Sequence, residues 1–281
     1  FWFAWAVYWG VKAVYVGKWR HFILLGLFCG YSVCTKESAA GYVLGLGIAI
    51  WIAMVGRDLK VGRSLKEAVL SVFSLKVLGA ALVLGLCFAI LNGFLAGLEE
   101  LSNRMDSWRN VTDTFLETYK GQLYLLYDSA KQLCSGLGWP LFIMCVVSVV
   151  YCAINDRWKL AFGVGPLLVF YLLVNMNVHL AVPRFLLAGY PGLALLIGKT
   201  SAKWLRWKKV PKALRILPVG LVYVLSLLYC IGLDLEMLDD TRVRTEQWFY
   251  KNVDRNNVIG AGIYNKVYAP RLHFNGYYLI C

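Results

Sequence analysis

Apolar runs bounded by charge clusters recur along the chain at residues 1–16, 22–34, 39–55, 69–96, 139–154, 160–178, 185–198 and 216–233. A bilayer core about 30 Å thick is crossed by about 20 apolar helical residues, so runs of this kind read as membrane helices. The pattern predicts an all-α polytopic membrane protein of about eight spans. The second and third runs are short, and Thr35-Lys36-Glu37-Ser38 separates them. They are read as a hairpin of two short helices; the alternative is one long interrupted helix.

Between residues 97 and 138, apolar positions such as Phe115, Tyr119, Leu123 and Leu126 recur at helical spacing. This spacing predicts an amphipathic helix lying along the membrane interface. Past Asp234 the pattern predicts a helix to about Asn252 with Trp248, Phe249 and Val253 as its apolar face. A turn at Asn256-Asn257 and a strand from Val258 to Ile263 follow, the beginning of a small outer α/β domain. The expected division is a transmembrane helical domain over 1–233 and an extracytoplasmic piece over 234–281.

Composition narrows the class. The chain has 281 residues, 59% of them hydrophobic and 16% charged, whereas soluble domains are about 25% charged. A soluble domain, a disordered chain and a disulfide scaffold are excluded. The first 16 residues form a membrane segment without a basic leader or cleavage site, so no signal peptide is expected here and the chain reads as a fragment. Cys29, Cys34, Cys87, Cys145, Cys152 and Cys230 fall in apolar runs without metal-ligand spacing, leaving Cys134 and Cys281 as the pair that could meet outside the membrane.

The net charge of +13 acquires a meaning once the hairpin topology sorts it. One face collects fifteen cations, from Lys18 and Arg20 through Arg57, Lys60, Arg63, Lys66, Arg157 and Lys159 to the run Lys199–Arg215, against three acids, Asp58, Glu67 and Asp156. The loop on the other face carries four cations and six acids. The positive-inside rule puts the basic loops in the cytoplasm, of a bacterial inner or plasma membrane or an endoplasmic reticulum membrane. The cations then meet anionic lipid, and no nucleic-acid partner is expected. Asn110-Val111-Thr112 in the outer loop is an N-glycosylation triplet, in keeping with a lumenal side.

Chemistry is expected on the outer face. No phosphate-binding glycine loop follows a strand: Gly41, Gly45 and Gly47 lie inside an apolar span, where small residues let helices pack closely. His21, His179 and His273 are too scattered for a zinc motif, and there is no nucleophile elbow. Lys36-Glu37 is an adjacent ion pair inside a long apolar stretch, and buried ionisable groups in membranes mark function unless they snorkel or cap a helix. Lys36 meets a phosphate at headgroup level on one reading; on the other it snorkels while Thr35 or Ser38 caps. Arg184 and His179 flank Pro183 in a polar, proline-broken stretch from Asn175 to Pro191, and broken backbone at membrane depth requires cover by protein or water. Arg184 offers a planar fork for phosphate oxygens or an anchor for a span end. Lys12 and Lys76 are the charges within the spans, expected to snorkel or face the bundle interior.

Three passages give these residues a context. Gly26-Leu-Phe-Cys-Gly-Tyr-Ser-Val-Cys-Thr-Lys36-Glu-Ser resembles a glycine-rich span ending in a Thr-Lys turn. Val182-Pro-Arg184-Phe185-Leu-Leu-Ala-Gly-Tyr-Pro191 resembles an Arg-Tyr-x-x-Pro-x-x-Pro segment, with Phe185 for the usual Tyr and the first Pro lacking. Thr245-Glu-Gln-Trp248-Phe-Tyr-Lys-Asn252 resembles the start of an outer α/β domain, and Gly136 to Trp139 is a softer match. Together they resemble the C-type glycosyltransferase (GT-C) superfamily, in the branch of dolichyl-phosphate-mannose protein mannosyltransferases and bacterial lipid A aminoarabinose transferases.

The resemblance implies transfer of a sugar from a polyprenyl-phosphate donor to a hydroxyl of a protein, lipid or glycan acceptor on the outer face. It implies that Lys36 and Arg184 neutralise the leaving phosphate, with Glu37 and His179 beside them. It places the catalytic base in an outer loop expected upstream of Phe1. No cofactor is called for, and a divalent metal stays open. A lipid-linked polysaccharide polymerase or ligase is chemically adjacent, and a polytopic transporter or flippase is the other class; ion-coupled transport needs charges spread through the spans.

Overall fold

The computed structural model describes residues 1–36, 39–92, 118–176, 186–238, 241–254, 258–260 and 278–280. Helices dominate: α1 Trp2–Val16, α2 Trp19–Thr35, α3 Ala39–Lys60, α4 Leu65–Leu70, α5 Leu75–Asn92, α6 Tyr119–Leu137, α7 Trp139–Asn155, α8 Arg157–Phe170, α9 Tyr190–Leu205, α10 Lys212–Leu238 and α11 Thr241–Asn252. A one-turn 3₁₀ segment, Ser71–Phe73, joins α4 to α5, and a π-helical turn, Tyr171–Asn175, continues α8.

Among the described residues, four helical stretches are long and apolar enough to cross a membrane, Ala39–Lys60, Leu65–Leu91, Arg157–Asn175 and Lys212–Leu235, or five if the bent pair α6 and α7 is one span. Along α5, Leu78, Leu82, Leu86 and Ile90 form an exposed stripe at 51%, 64%, 52% and 76%. Water-soluble proteins rarely leave so long an apolar stripe bare, and lipid is the solvent that suits it. This is an α-helical membrane protein. Helices α1, α2, α7 and α9 have 15, 17, 17 and 16 residues, about 23–26 Å at 1.5 Å per residue. Each is somewhat shorter than the bilayer core.

The chain divides into two units, Phe1–Tyr223 and Val224–Cys281, the division falling inside α10. In the first unit, side-chain contacts fix the helix directions. Trp2 stacks on Phe28 while Trp9 stacks on His21, so α1 and α2 are antiparallel. Phe3 meets Tyr42 and Arg57 reaches Val14, so α1 and α3 are parallel. Thus α2 and α3 are two antiparallel helices, a hairpin. Gly41 and Gly45 lie against Phe170 and Pro166, and Gly56 lies against Trp158, so α8 returns antiparallel to α3.

Close crossings depend on missing side chains. A Cβ on Gly26 would stand 2.2 Å from the Ala80 carbonyl oxygen, and one on Gly30 would stand 2.5 Å from Cys87 Cβ, which sets α2 on α5. A Cβ on Gly45 would come within 2.6 Å of Pro166 Cα, whereas Gly47 faces open space. The expected small-residue packing is therefore made by Gly41 and Gly45 of α3, but not by Gly47.

Helix α6 meets α7 at 117°. Its bundle side carries Gly121, Leu125, Ser129 and Cys134, while Tyr119, Leu123 and Leu126 are exposed. The stripe recognised from spacing thus points away from the protein, as a face immersed in lipid does. Phe115 and the triplet Asn110–Thr112 lie outside the described residues. Cys134 is buried with a free thiol, and Cys281 lies outside the described residues. In the second unit, β1 Val258–Gly260 and β2 Tyr278–Ile280 pair in parallel, with Val258 opposite Tyr278.

Candidate functional site

The helix directions gather two chemically different ends. At one end lie the C-termini of α1, α3, α7 and α9 and the N-termini of α2, α5 and α8. The cations there do specific work. The last carbonyls of a helix lack internal partners and carry partial negative charge. Gly17 closes α1 in the left-handed conformation at φ 68, its N–H donating to Ala13 O at 3.1 Å. Arg57 Nη1 donates to Val14 O at 2.8 Å, and Lys76 Nζ donates to Gly17 O at 2.6 Å. Lys76 is therefore a clamp on the end of α1, not a charge facing the bundle interior. Lys12 stands over the Tyr8 ring at 5.7 Å.

Two acids hold this end together. Asp58, 3% exposed, accepts from Arg57 at 3.1 Å through Oδ1 and from Arg63 at 3.0 Å through Oδ2. Asp156, in the turn between α7 and α8, accepts from Lys159 at 2.7 Å and also from Lys199 of α9. Burial pushes the Asp156 carboxyl up, but the hydrogen bonds and charges of Lys159 and Lys199 prevail and hold it below the usual carboxylate range. A carboxyl whose pKa is lowered by folding contributes stability above its unfolded pKa, and that contribution is lost as pH falls through the folded value. Thermal midpoints of the purified chain in detergent are expected to decline on acidification below about pH 4, with a shallower decline in Asp156→Asn. Equal slopes for the two proteins would remove Asp156 from the account.

Of the predicted site residues, Lys36 is described, and it lies at the opposite end. Lys36 ends α2 in extended conformation, φ −158 and ψ 120, its N–H donating to Ser32 O at 3.2 Å. Its carbonyl accepts from Ala39 N at 2.9 Å, which turns the chain into α3. The Thr35 hydroxyl donates back to Tyr31 O at 2.7 Å, so Thr35 completes α2 rather than capping α3. Glu37, Ser38, His179 and Arg184 lie outside the described residues.

The flanks of the two predicted segments nevertheless meet. Tyr42, 1% exposed, stacks on Phe170 at 4.2 Å and 14°. A Cβ on Gly41 would contact Phe170 and Val174 of the helix leading into 177–185, and one on Gly189, just after that segment, would touch Tyr42. Gly41, Phe170, Val174 and Gly189 thus meet around Tyr42. Beside it Asn175 is fully buried in the π-helical turn, with Nδ2 3.5 Å from Ser129 Oγ of α6 and no partner for Oδ1 among the described residues. A π turn inside a helix often marks a functional position. Among the described residues no three His, Cys, Asp or Glu side chains gather as a metal would require.

The sequence reading missed Asp58, Asp156 and Asn175. The acids were visible as isolated carboxylates among cations at helix ends. Asn175 had no comparable signal, because one π turn leaves no periodicity. Compared with protein-family models, curated proteins and solved structures, the chain finds no match in any of the three.

Proposed function

We propose that this chain is the membrane part of a glycosyltransferase that moves a sugar from a polyprenyl-phosphate donor to an acceptor hydroxyl at the membrane surface. The observation that carries it is the meeting of the flanks of the Lys36 turn and of the 177–185 segment around the Tyr42–Phe170 stack. Two cation-bearing segments anchored together suit a phosphate group, whose negative charge grows as the glycosidic bond breaks. In this reading Lys36 and Arg184 clamp the phosphate, and Glu37 and His179 stand beside it. The donor and acceptor meet on the face opposite the basic end, which is cytoplasmic. The eight apolar runs all span, α6 lies in the interface, and the strands at 258–260 and 278–280 belong to an outer α/β domain.

Transport by an ion-coupled carrier would need ionisable groups inside the bundle. Among the described residues, the buried Asp, Glu, His, Lys and Arg side chains are His21 and Asp58, and both sit at the basic end. The same chemistry could serve a polymerase or ligase, which differs in acceptor rather than in donor.

The test is consumption of a radiolabelled polyprenyl-phosphate sugar by membranes expressing the intact protein. Release of polyprenyl phosphate with transfer of label to a hydroxyl is the expected result. Label moved across the bilayer but still joined to its lipid would replace this reading with that of a flippase.

A further inference from the structure

At the basic end a cavity of about 700 Å³ opens between α7, α9 and the turn after α9. It lies on different elements from the site proposed above. Its lining is Val147 and Tyr151 of α7, Thr200, Lys203 and Trp204 of α9, and Arg206, Trp207 and Lys208 of the turn. Three cations border it, and the lining includes no acid. The nearest carboxylate in the sequence, Asp156, is occupied by Lys159 and Lys199.

Two residues lining this cavity carry a hydrogen-bond donor with no partner among the described residues. The Thr200 hydroxyl and the Trp204 indole N–H are buried atoms without an acceptor among the described residues. A buried donor left unpaired is destabilising, so a group rich in acceptors is what the cavity lacks. Its frame is set in advance. Arg215 Nη1 donates to Leu205 O at 2.9 Å, Trp207 N donates to Trp204 O at 3.1 Å, and Val210 N donates to Trp207 O at 3.2 Å. Lys203 Nζ stands 4.9 Å from the centre of the Tyr151 ring, and Trp204 and Trp207 meet edge to face at 5.4 Å.

The geometry points to a binding site for the phosphodiester headgroup of an anionic membrane lipid. A phosphodiester offers acceptors and no donor, and accepts from Thr200 and Trp204 while Lys203, Arg206 and Lys208 neutralise it. Val147 and the faces of Trp204 and Trp207 suit the acyl chains that follow. Between membrane helices, basic pockets of this kind take lipid headgroups. A free phosphate ion satisfies the donors but leaves the apolar lining unused, so the lipid is the occupant.

The full chain in detergent is titrated with dioleoylphosphatidylglycerol or dioleoylphosphatidylcholine, and retained lipid is counted by native mass spectrometry. Phosphatidylglycerol is expected to bind at least about tenfold more tightly, a preference reduced to within about twofold in Lys203→Ala/Arg206→Ala. Thr200→Val and Trp204→Phe keep the bulk and each remove one donor, and each lowers phosphatidylglycerol affinity about fivefold. Lys60→Ala/Lys66→Ala, with the same loss of charge outside the cavity, leaves the preference intact. Equal retention of the two lipids would overturn the site, as would a preference lost equally in the Lys60/Lys66 variant. Displacement of the lipid by sodium phosphate with unchanged affinity in Trp204→Phe would overturn it too. Sugar transfer does not enter any of these readouts.

Discussion

Lys36→Ala and Arg184→Ala are each expected to lower turnover of a polyprenyl-phosphate sugar about 10²- to 10³-fold, the usual effect of removing one donor that meets charge developing in a transition state. The loss falls on kcat more than on KM. The donor phosphate already carries charge when it binds, but it gains more as the sugar departs, and a group matched to that gain acts mainly on the barrier. Arg184→Lys keeps the charge and loses the planar fork, so it recovers only part of the activity. Lys36→Arg keeps charge and reach and recovers more. Lys36 ends α2 with its backbone held to Ser32 O and Ala39 N, so its side chain can be changed without unmaking the turn. Full activity in both alanine variants of the intact protein would end the phosphate-clamp account.

The helices were legible because a membrane imposes one pattern: backbone groups must be paired internally, so an apolar run becomes a helix. Over the described residues the eight runs are mainly helical, the run from 69 being divided among α4, a 3₁₀ turn and α5, and α2 ends at Thr35 before α3 begins at Ala39. What escaped the reading depends on contacts between distant segments. Lys76 was expected to snorkel or to face the bundle interior, yet it lies beside Gly17 because α5 runs along α2. Asp58 and Asp156 were counted as acids on the basic face; Asp58 is paired locally with Arg57 and Arg63, whereas Asp156 also depends on Lys199 from α9. The glycines of the 26–38 passage were read as part of a motif. Their packing role became visible only when α5 lay across them.

A single methyl group placed on Gly26 is expected to cost more stability than most truncations in the bundle. Its Cβ would stand 2.2 Å from the Ala80 carbonyl oxygen and 3.1 Å from Ala80 Cα. Both are backbone atoms and cannot rotate away, so α2 and α5 must separate along their length. Overpacking in a well-filled core costs about 1–3 kcal/mol, and a backbone clash belongs at or above the top of that range. Gly47→Ala supplies the contrasting sign. Nothing lies within 4 Å of its added Cβ, and alanine is favoured over glycine inside a helix by about 0.5–1 kcal/mol. The thermal midpoint in detergent is thus expected to fall in Gly26→Ala and to hold or rise in Gly47→Ala. At Gly30 the obstacle is the Cys87 side chain at 2.5 Å, which can be removed. Gly30→Ala alone destabilises, and Gly30→Ala/Cys87→Gly regains part of the loss, a coupling that a double-mutant cycle measures. Additive effects at positions 30 and 87, or equal midpoints for the Gly26 and Gly47 variants, would contradict the crossing. Helix α2 ends at Thr35 and delivers Lys36, so the crossing that these glycines permit also determines where that ammonium group stands.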